Sequence, residues 1–187
     1  MIARSRDLMG ESGEWIWIEC FWLAFVHMWR GDAIAAEHEL RPGYDALKEI
    51  GEKSHFSSLS HALSNALYLQ GRYDEAELVT RECEEACRAN DVHSQILWRS
   101  IRAKIFARRR AFDHAEQLAR DAIELAETSD FLLAHADGLS DLTEVLELAG
   151  RREDAARTLA DSIGLYERKG NLLAAETGRI RLAALKH

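Results

Sequence analysis

The feature that most limits what this chain can fold into is an internal repeat of about 40 residues. The segments GDAIAA (31–36), GRYDEA (71–76), RAFDHA (110–115) and GRREDA (150–155) share one register, so their leading residues, Gly31, Gly71, Arg110 and Gly150, stand 40, 39 and 40 apart. Five residues after each leading residue comes an alanine (Ala36, Ala76, Ala115, Ala155), and seven before it a small residue (Ala24, Ser64, Ala103, Thr143). Each motif lies between two stretches with helical apolar spacing. The leading residue therefore reads as a tight turn between antiparallel helices, a place where glycine takes positive φ cheaply. The paired small residues read as the crossing point, since side chains there set how closely two axes approach. Asp32, Asp74, Asp113 and Glu153 fall in the first turn of each second helix, where a carboxylate meets the positive end of the dipole.

The expected architecture is all-α: a right-handed solenoid of antiparallel helical hairpins, forming one domain over 1–187. The hairpins are 14–50, 54–89, 92–128 and 131–169, and a C-terminal capping helix covers 171–186. Asp91, Asp130 and Asn171 stand where N-caps of the later first helices belong. Pro42, followed by Gly43, predicts a kink or break in the second helix of hairpin one. Composition agrees with helices, because one Pro and 11 Gly supply little turn chemistry for an all-β fold. A chain of 187 residues buries a core without disulfides or a structural metal.

The leading Gly, the aromatic at Tyr73 or Phe112 and the alanine at Ala76 or Ala115 together resemble the tetratricopeptide repeat family. More narrowly, residues 95–171 and 31–52 resemble the C-terminal repeat tail of large bacterial signalling regulators, which join such repeats to an ATPase and to a cyclase-like or DNA-binding domain. The resemblance implies an adaptor role and transfers no catalysis.

The residues themselves call for no enzyme, cofactor or metal. GEKS at 51–54 lacks the glycine-rich cradle and Gly-Lys pair of a phosphate loop and reads as a turn. His55 and His61 are six apart and do not share a helix face. Cys83 and Cys87 do share one, but without further ligands they read as two small buried residues. No G-x-S-x-G turn is present. Arg99, Arg102, Lys104, Arg108, Arg109 and Arg110 make one helix basic, yet the chain carries a net charge of -8. Pairing with Glu82, Glu84, Glu85, Asp121 and Glu124 on neighbouring helices is expected, rather than nucleic-acid binding. Three oddly spaced cysteines indicate a reducing cytoplasm. The apolar run 15–29 is too short for a membrane span and contains Glu19 and His27.

Function is therefore expected from a surface: a noncatalytic scaffold binding a protein or peptide, with a small-molecule sensor using the same groove as the alternative. In the resembled fold the first helices line the concave side. Counting back from the leading residues places Phe21, Phe25, Met28 and Trp29 there in hairpin one, and Ser58, His61, Asn65 and Tyr68 in hairpin two. Hairpin three contributes Leu97, Ser100, Lys104 and Arg108, and hairpin four Asp137, Ser140, Glu144 and Glu147. A bound segment is expected to set a carboxylate against Asn65, Lys104 and Arg108. The first helix holds four of the five tryptophans and keeps no polar stripe, and residues 1–13 offer too little apolar surface to cover it. A homodimer through Trp15, Ile18, Trp22 and Trp29 is the expected solution.

Overall fold

The computed structural model describes residues 14–186, with side chains from Cys20 onward except Ser54. The described residues form helices α1 (Glu14–Trp29), α2 (Ala33–Ile50), α3 (Ser54–Leu69), α4 (Tyr73–Ala86), α5 (Val92–Arg108), α6 (Phe112–Glu127), α7 (Leu132–Leu148), α8 (Arg152–Lys169) and α9 (Leu172–Leu185), with no strand among them. Within each of two compact units, helices consecutive in sequence pack as antiparallel partners, and the fold is an all-α helical-repeat solenoid. The chain divides into two compact units, residues 1–87 and 88–187. In the first, α1 packs on α2 and α3, and α3 on α4. In the second, α5 packs on α6 and α7, α7 on α8, and α8 on α9.

The turn chemistry follows the repeat. Gly31, Gly71, Arg110 and Gly150 have φ of 75, 76, 65 and 77°. In each hairpin the next amide reaches back over the helix end: Asp32 to the His27 carbonyl at 2.9 Å, Arg72 to Leu67 at 3.0 Å, Ala111 to Phe106 at 3.0 Å and Arg151 to Leu146 at 2.9 Å. This left-handed closure satisfies carbonyls that a helix end otherwise leaves open. Arg110 is the one leading residue that bears a Cβ penalty, of about 1 kcal/mol. Arg110→Gly is accordingly expected to stabilise the protein by about 0.5 kcal/mol once the added chain entropy is subtracted, readable as a small rise in Tm.

The crossing residues are packed as their size demands. Ala36, Ala76, Ala115, Ala155, Ser64, Ala103 and Thr143 are fully buried, and Ala24 is 1% exposed. A third small position, twelve residues after each leading one, is also buried: Gly43, Cys83, Ala122 and Ser162. There the second helix lies against the first so closely that Ser162 Oγ donates to the Ala136 carbonyl at 2.7 Å, and Cys83 Sγ stands 3.8 Å from the equivalent Ser57 carbonyl. At Gly43 a Cβ would come within 3.3 Å of Cys20 Sγ and 3.2 Å of Leu59.

This close approach accounts for the Pro42–Gly43 pair, and of the expected kink or break the break does not occur. Helix α2 runs on through Pro42. The proline lies on the exposed side, where the carbonyl it cannot serve is open to water, while Gly43 faces the crossing. The capping expectation is also partly revised. Asp32, Asp91 and Asn171 accept the amides of Ala35, Ser94 and Ala174, whereas Asp130 does not cap α7, whose N-cap is Phe131. Cys83 is buried, but Cys87, at the end of α4, is only half-buried.

Outside the crossings, one charged clamp recurs in each unit. Arg72, next to its turn glycine, binds Glu37 of the preceding hairpin at 2.5 Å, and Arg151 binds Glu116 in the same way at 2.5 Å.

Candidate functional site

In the first unit the surface assigned to binding is carried by α1 and α3. Phe25 (41% exposed) and Trp29 (69%) are open to solvent, while Phe21 and Met28 are half-buried. The rings form one run: Phe25 stacks on Phe21 at 6.4 Å between centroids, tilts against Trp29 at 4.9 Å and meets Trp22 edge-on at 6.2 Å. On α3, Ser58, His61 and Asn65 are half-buried, and Tyr68 is buried with its ring 5.4 Å from Tyr73. Of the residues assigned to a dimer, Trp22 is 60% exposed. The side chains of Trp15 and Ile18 lie outside those described.

In the second unit the first helices are zipped by charge. Lys104 pairs with Asp141 at 2.8 Å and Arg108 with Glu144 at 2.5 Å, both from α5 to α7. From the other side Arg181 of α9 pairs with Glu147 at 2.7 Å and also donates to the Ser140 carbonyl at 3.3 Å. Helix α7 thus offers Asp137, Asp141, Glu144 and Glu147 along one stripe, three of them met by a cation from a flanking helix. The site residues Lys104, Arg108 and Glu144 come together here, with Leu97 half-buried and Ser100 buried beside them on α5.

Asp141 and Arg181 are site residues that sequence reasoning missed. The repeat itself holds the signal, because Ile101, Asp141 and Arg181 occupy one register position, 40 residues apart.

The fourth carboxylate, Asp137, accepts the Tyr166 hydroxyl at 2.5 Å. Asp137 is exposed as a residue, although many atoms of the unit lie around its carboxyl. This desolvation, reinforced by Asp141 and opposed by Tyr166 and Lys104, pushes it up to about 6. A carboxyl raised in the folded state holds its proton more tightly there, so its contribution to stability is present at acid pH and is lost as pH climbs from about 4 through 6. Asp137→Asn keeps an acceptor for Tyr166 and is expected to flatten the pH dependence of Tm over that window. It should also raise Tm at pH 7.5; an unchanged profile would show that Asp137 titrates normally.

The basic helix also makes contacts that the sequence does not single out. Arg99 and Arg102 both lie against the ring of Trp98, at 4.1 and 4.3 Å from its centroid, and Lys104 and Arg108 use α7. Glu82 instead serves α2, where burial works against its charge but bonds from Lys48 and Tyr44 hold its carboxyl below the usual range.

An open groove of about 440 Å³ lies beside α7 and α8, lined by His135, Leu139, Asp161, Gly164 and Arg168, with no Trp or Tyr in its wall. Among the described residues no group of three His, Cys, Asp or Glu side chains is placed to hold a metal ion, and no helix is long and apolar enough to cross a membrane.

No protein-family model matches the sequence, and a search of the curated proteins finds no match. Solved structures do match in shape. BtubC (BKLC) from P. vanneervenii superposes with a TM-score of 0.63 at 17% identity, over 99% of this chain and 86% of that one. A putative kinesin light chain from Podosopora anserina, described as having nearly identical TPR-like repeats, gives 0.59 at 13% identity over 94% and 97%. The fold is that of tetratricopeptide-like repeats. A point-substituted form of the Podosopora protein agrees, at 0.53 and 13% identity over 88% of this chain and 91% of that one. These tetratricopeptide-like neighbours share the architecture at identities too low to carry a partner or an activity across.

Proposed function

We propose that the protein is a noncatalytic scaffold whose first helices hold a protein or peptide, and that it works as an adaptor or regulatory module in bacterial signalling in a reducing cytoplasm. The observation that carries the binding reading is the contrast between the two surfaces. The first unit leaves the rings of Phe25 and Trp29 open beside half-buried His61 and Asn65, while the second presents a continuous mixed-charge stripe on α7. Exposed aromatic anchors next to polar groups are what peptide recognition uses.

The expected carboxylate contact falls on Arg108, which is 38% exposed and able to exchange Glu144 for a partner; Lys104, at 8%, stays with Asp141. Tyr68 supports the surface from beneath. The signalling role is supported by the sequence resemblance of residues 95–171 and 31–52 alone. The groove beside α8, lacking aromatic walls, gives the small-molecule alternative no comparable support. Self-association through α1 belongs to the same reading.

A random peptide library selected on the intact chain tests the proposal. Selected peptides are expected to lose at least about tenfold in affinity on Phe25→Ser/Trp29→Ser, and peptides with acidic ends to do so on Arg108→Glu. Equal binding to wild type and both variants, each with unchanged helicity, would remove the assignment.

A further inference from the structure

A glycine inside a helix weakens it, so each one found there asks for a reason. Of the four glycines within the described helices, three share one. A Cβ at Gly43 would stand 3.2 Å from Leu59, at Gly138 3.3 Å from Ile123 and at Gly178 2.7 Å from Ile163. At each of them a neighbouring helix approaches closer than a side chain would allow. Gly164, inside α8, is the fourth. A Cβ built there meets nothing within 4 Å, and the residue opens on the groove beside α7 and α8. Gly164 is thus the kind of residue this chain places at a helix crossing, yet no described helix crosses it.

The face around Gly164 carries a second mark. Asp161, Gly164, Leu165 and Arg168 follow one another at three- and four-residue steps on one side of α8, and all four line the groove. Asp161 and Arg168 are exposed, and neither has an ion-pair partner among the described residues. Elsewhere on α8 charges are matched: Asp154 binds Arg151 and Arg157, and Glu167 binds Arg179. Two opposite charges therefore stand two turns apart, about 10 Å along the axis, and their midpoint falls between Gly164 and Leu165.

Such a face is its own complement. We infer that a second copy of this chain crosses α8 at Gly164, the two α8 helices lying antiparallel about a twofold axis between Gly164 and Leu165. Asp161 of each copy then meets Arg168 of the other, giving two charge-assisted pairs related by symmetry. Leu165 of each copy enters the space over the other's Gly164, as Ile163 packs on Gly178 within the chain. A parallel pairing would set Asp161 against Asp161 and Arg168 against Arg168, which like-charge repulsion opposes. A partner of another sequence would need a base and an acid at the same spacing, whereas the chain itself supplies both. The contact rests on a single helix face and two exposed ion pairs, so it is reversible and weakens with salt. It lies on a second helix, apart from α1 and from the first helices assigned to peptides.

Charge exchange is the test. Sedimentation of the full chain from about 1 to 200 µM is expected to show the mass rising from 21.2 kDa toward twice that value. Asp161→Lys sets two bases together at each end of the crossing, and Arg168→Glu sets two acids together. Each variant alone is expected to associate at least about tenfold more weakly than wild type. Mixed one to one, the two variants complement each other at both ends, and association is expected to return; it should also return in the double variant Asp161→Lys/Arg168→Glu. Should a variant misfold, hydrogen exchange on the wild type supplies the answer: slower exchange over 160–168 at high concentration, with the difference lost in about 0.5 M salt. A wild type that stays monomeric, single variants that associate as wild type does, or a mixture that gains nothing over its components would each overturn the assignment. Association through α1 would be alike in wild type and every variant, so it is told apart, and the peptide selection bears on neither result.

Discussion

Lys104→Ala is expected to destabilise the second unit by about 3 kcal/mol, lowering Tm by roughly 10 °C or more. The Lys104 side chain is only 8% exposed, and Asp141, its partner at 2.8 Å, is 21% exposed. Removing one member of such a pair leaves the other charge in poor solvent, which costs more than the intact pair contributes. Here the cost is compounded, because Asp137 lies one turn away on the same face of α7 and its carboxyl is already pushed up to about 6 by burial and by Asp141. The loss is therefore expected to be larger at pH 7.5 than at pH 5, where Asp137 takes up its proton and one of the two neighbouring charges disappears. Lys104→Met combined with Asp141→Leu should recover most of the stability, since an apolar pair of similar volume needs no solvation. Urea unfolding at both pH values separates the possibilities. A loss independent of pH and not recovered in the double variant would show that Lys104 acts through packing alone.

Gly178→Val is the second large effect, expected to cost about 3 kcal/mol and to loosen α9 from α8. A Cβ at Gly178 would lie 2.7 Å from Ile163 Cγ1, and Ile163 is held at 7% exposure among Tyr166, Leu159 and Ala175. Removing glycine from a helix interior ordinarily gains up to about 1 kcal/mol, while overpacking a filled core costs about 1–3 kcal/mol, so the clash prevails. The register equivalent, Gly138, has Ile123 Cγ1 at 3.3 Å and room for a small adjustment, so Gly138→Ala should be near neutral. Ile163→Ala in the Gly178→Val background should relieve part of the loss. If Gly178→Val melts like wild type with full exchange protection in α9, the contact is softer than its geometry implies.

The parts of the fold legible in the sequence are those fixed by backbone sterics within the repeat. Gly31, Gly71 and Gly150 announce a left-handed turn because few other residues tolerate one, and Ala36 or Ala115 announces a crossing because a larger side chain would separate the axes. Even Arg110, with no glycine to mark it, is legible by position alone. Pro42 does not end α2, and a local rule could not say so because it does not tell which side of α2 faces water. The partners of the basic helix are legible only in part. Sequence places acids on the second helices, but it does not show that Arg99 and Arg102 lie against Trp98 or that Lys104 and Arg108 reach α7. Which helix follows which in sequence is legible; which side chain reaches across to the next first helix depends on spacing and rotamer, and only coordinates give that.

The zipped stripe on α7 has a consequence for assembly. Hairpins built on one recurring plan can in principle stack in the wrong order or slide past one another by a turn, a characteristic failure of repeat proteins during folding. Hydrophobic crossings made of alanine and leucine discriminate weakly among such arrangements. The charges do discriminate: Lys104 and Arg108 approach α7 from one flank at Asp141 and Glu144, and Arg181 from the other at Glu147. Sliding α5 by one turn would carry Lys104 to Asp137 or Glu144 and leave a carboxylate unmatched. The stripe thus acts as an address label, telling otherwise similar hairpins who their neighbours are.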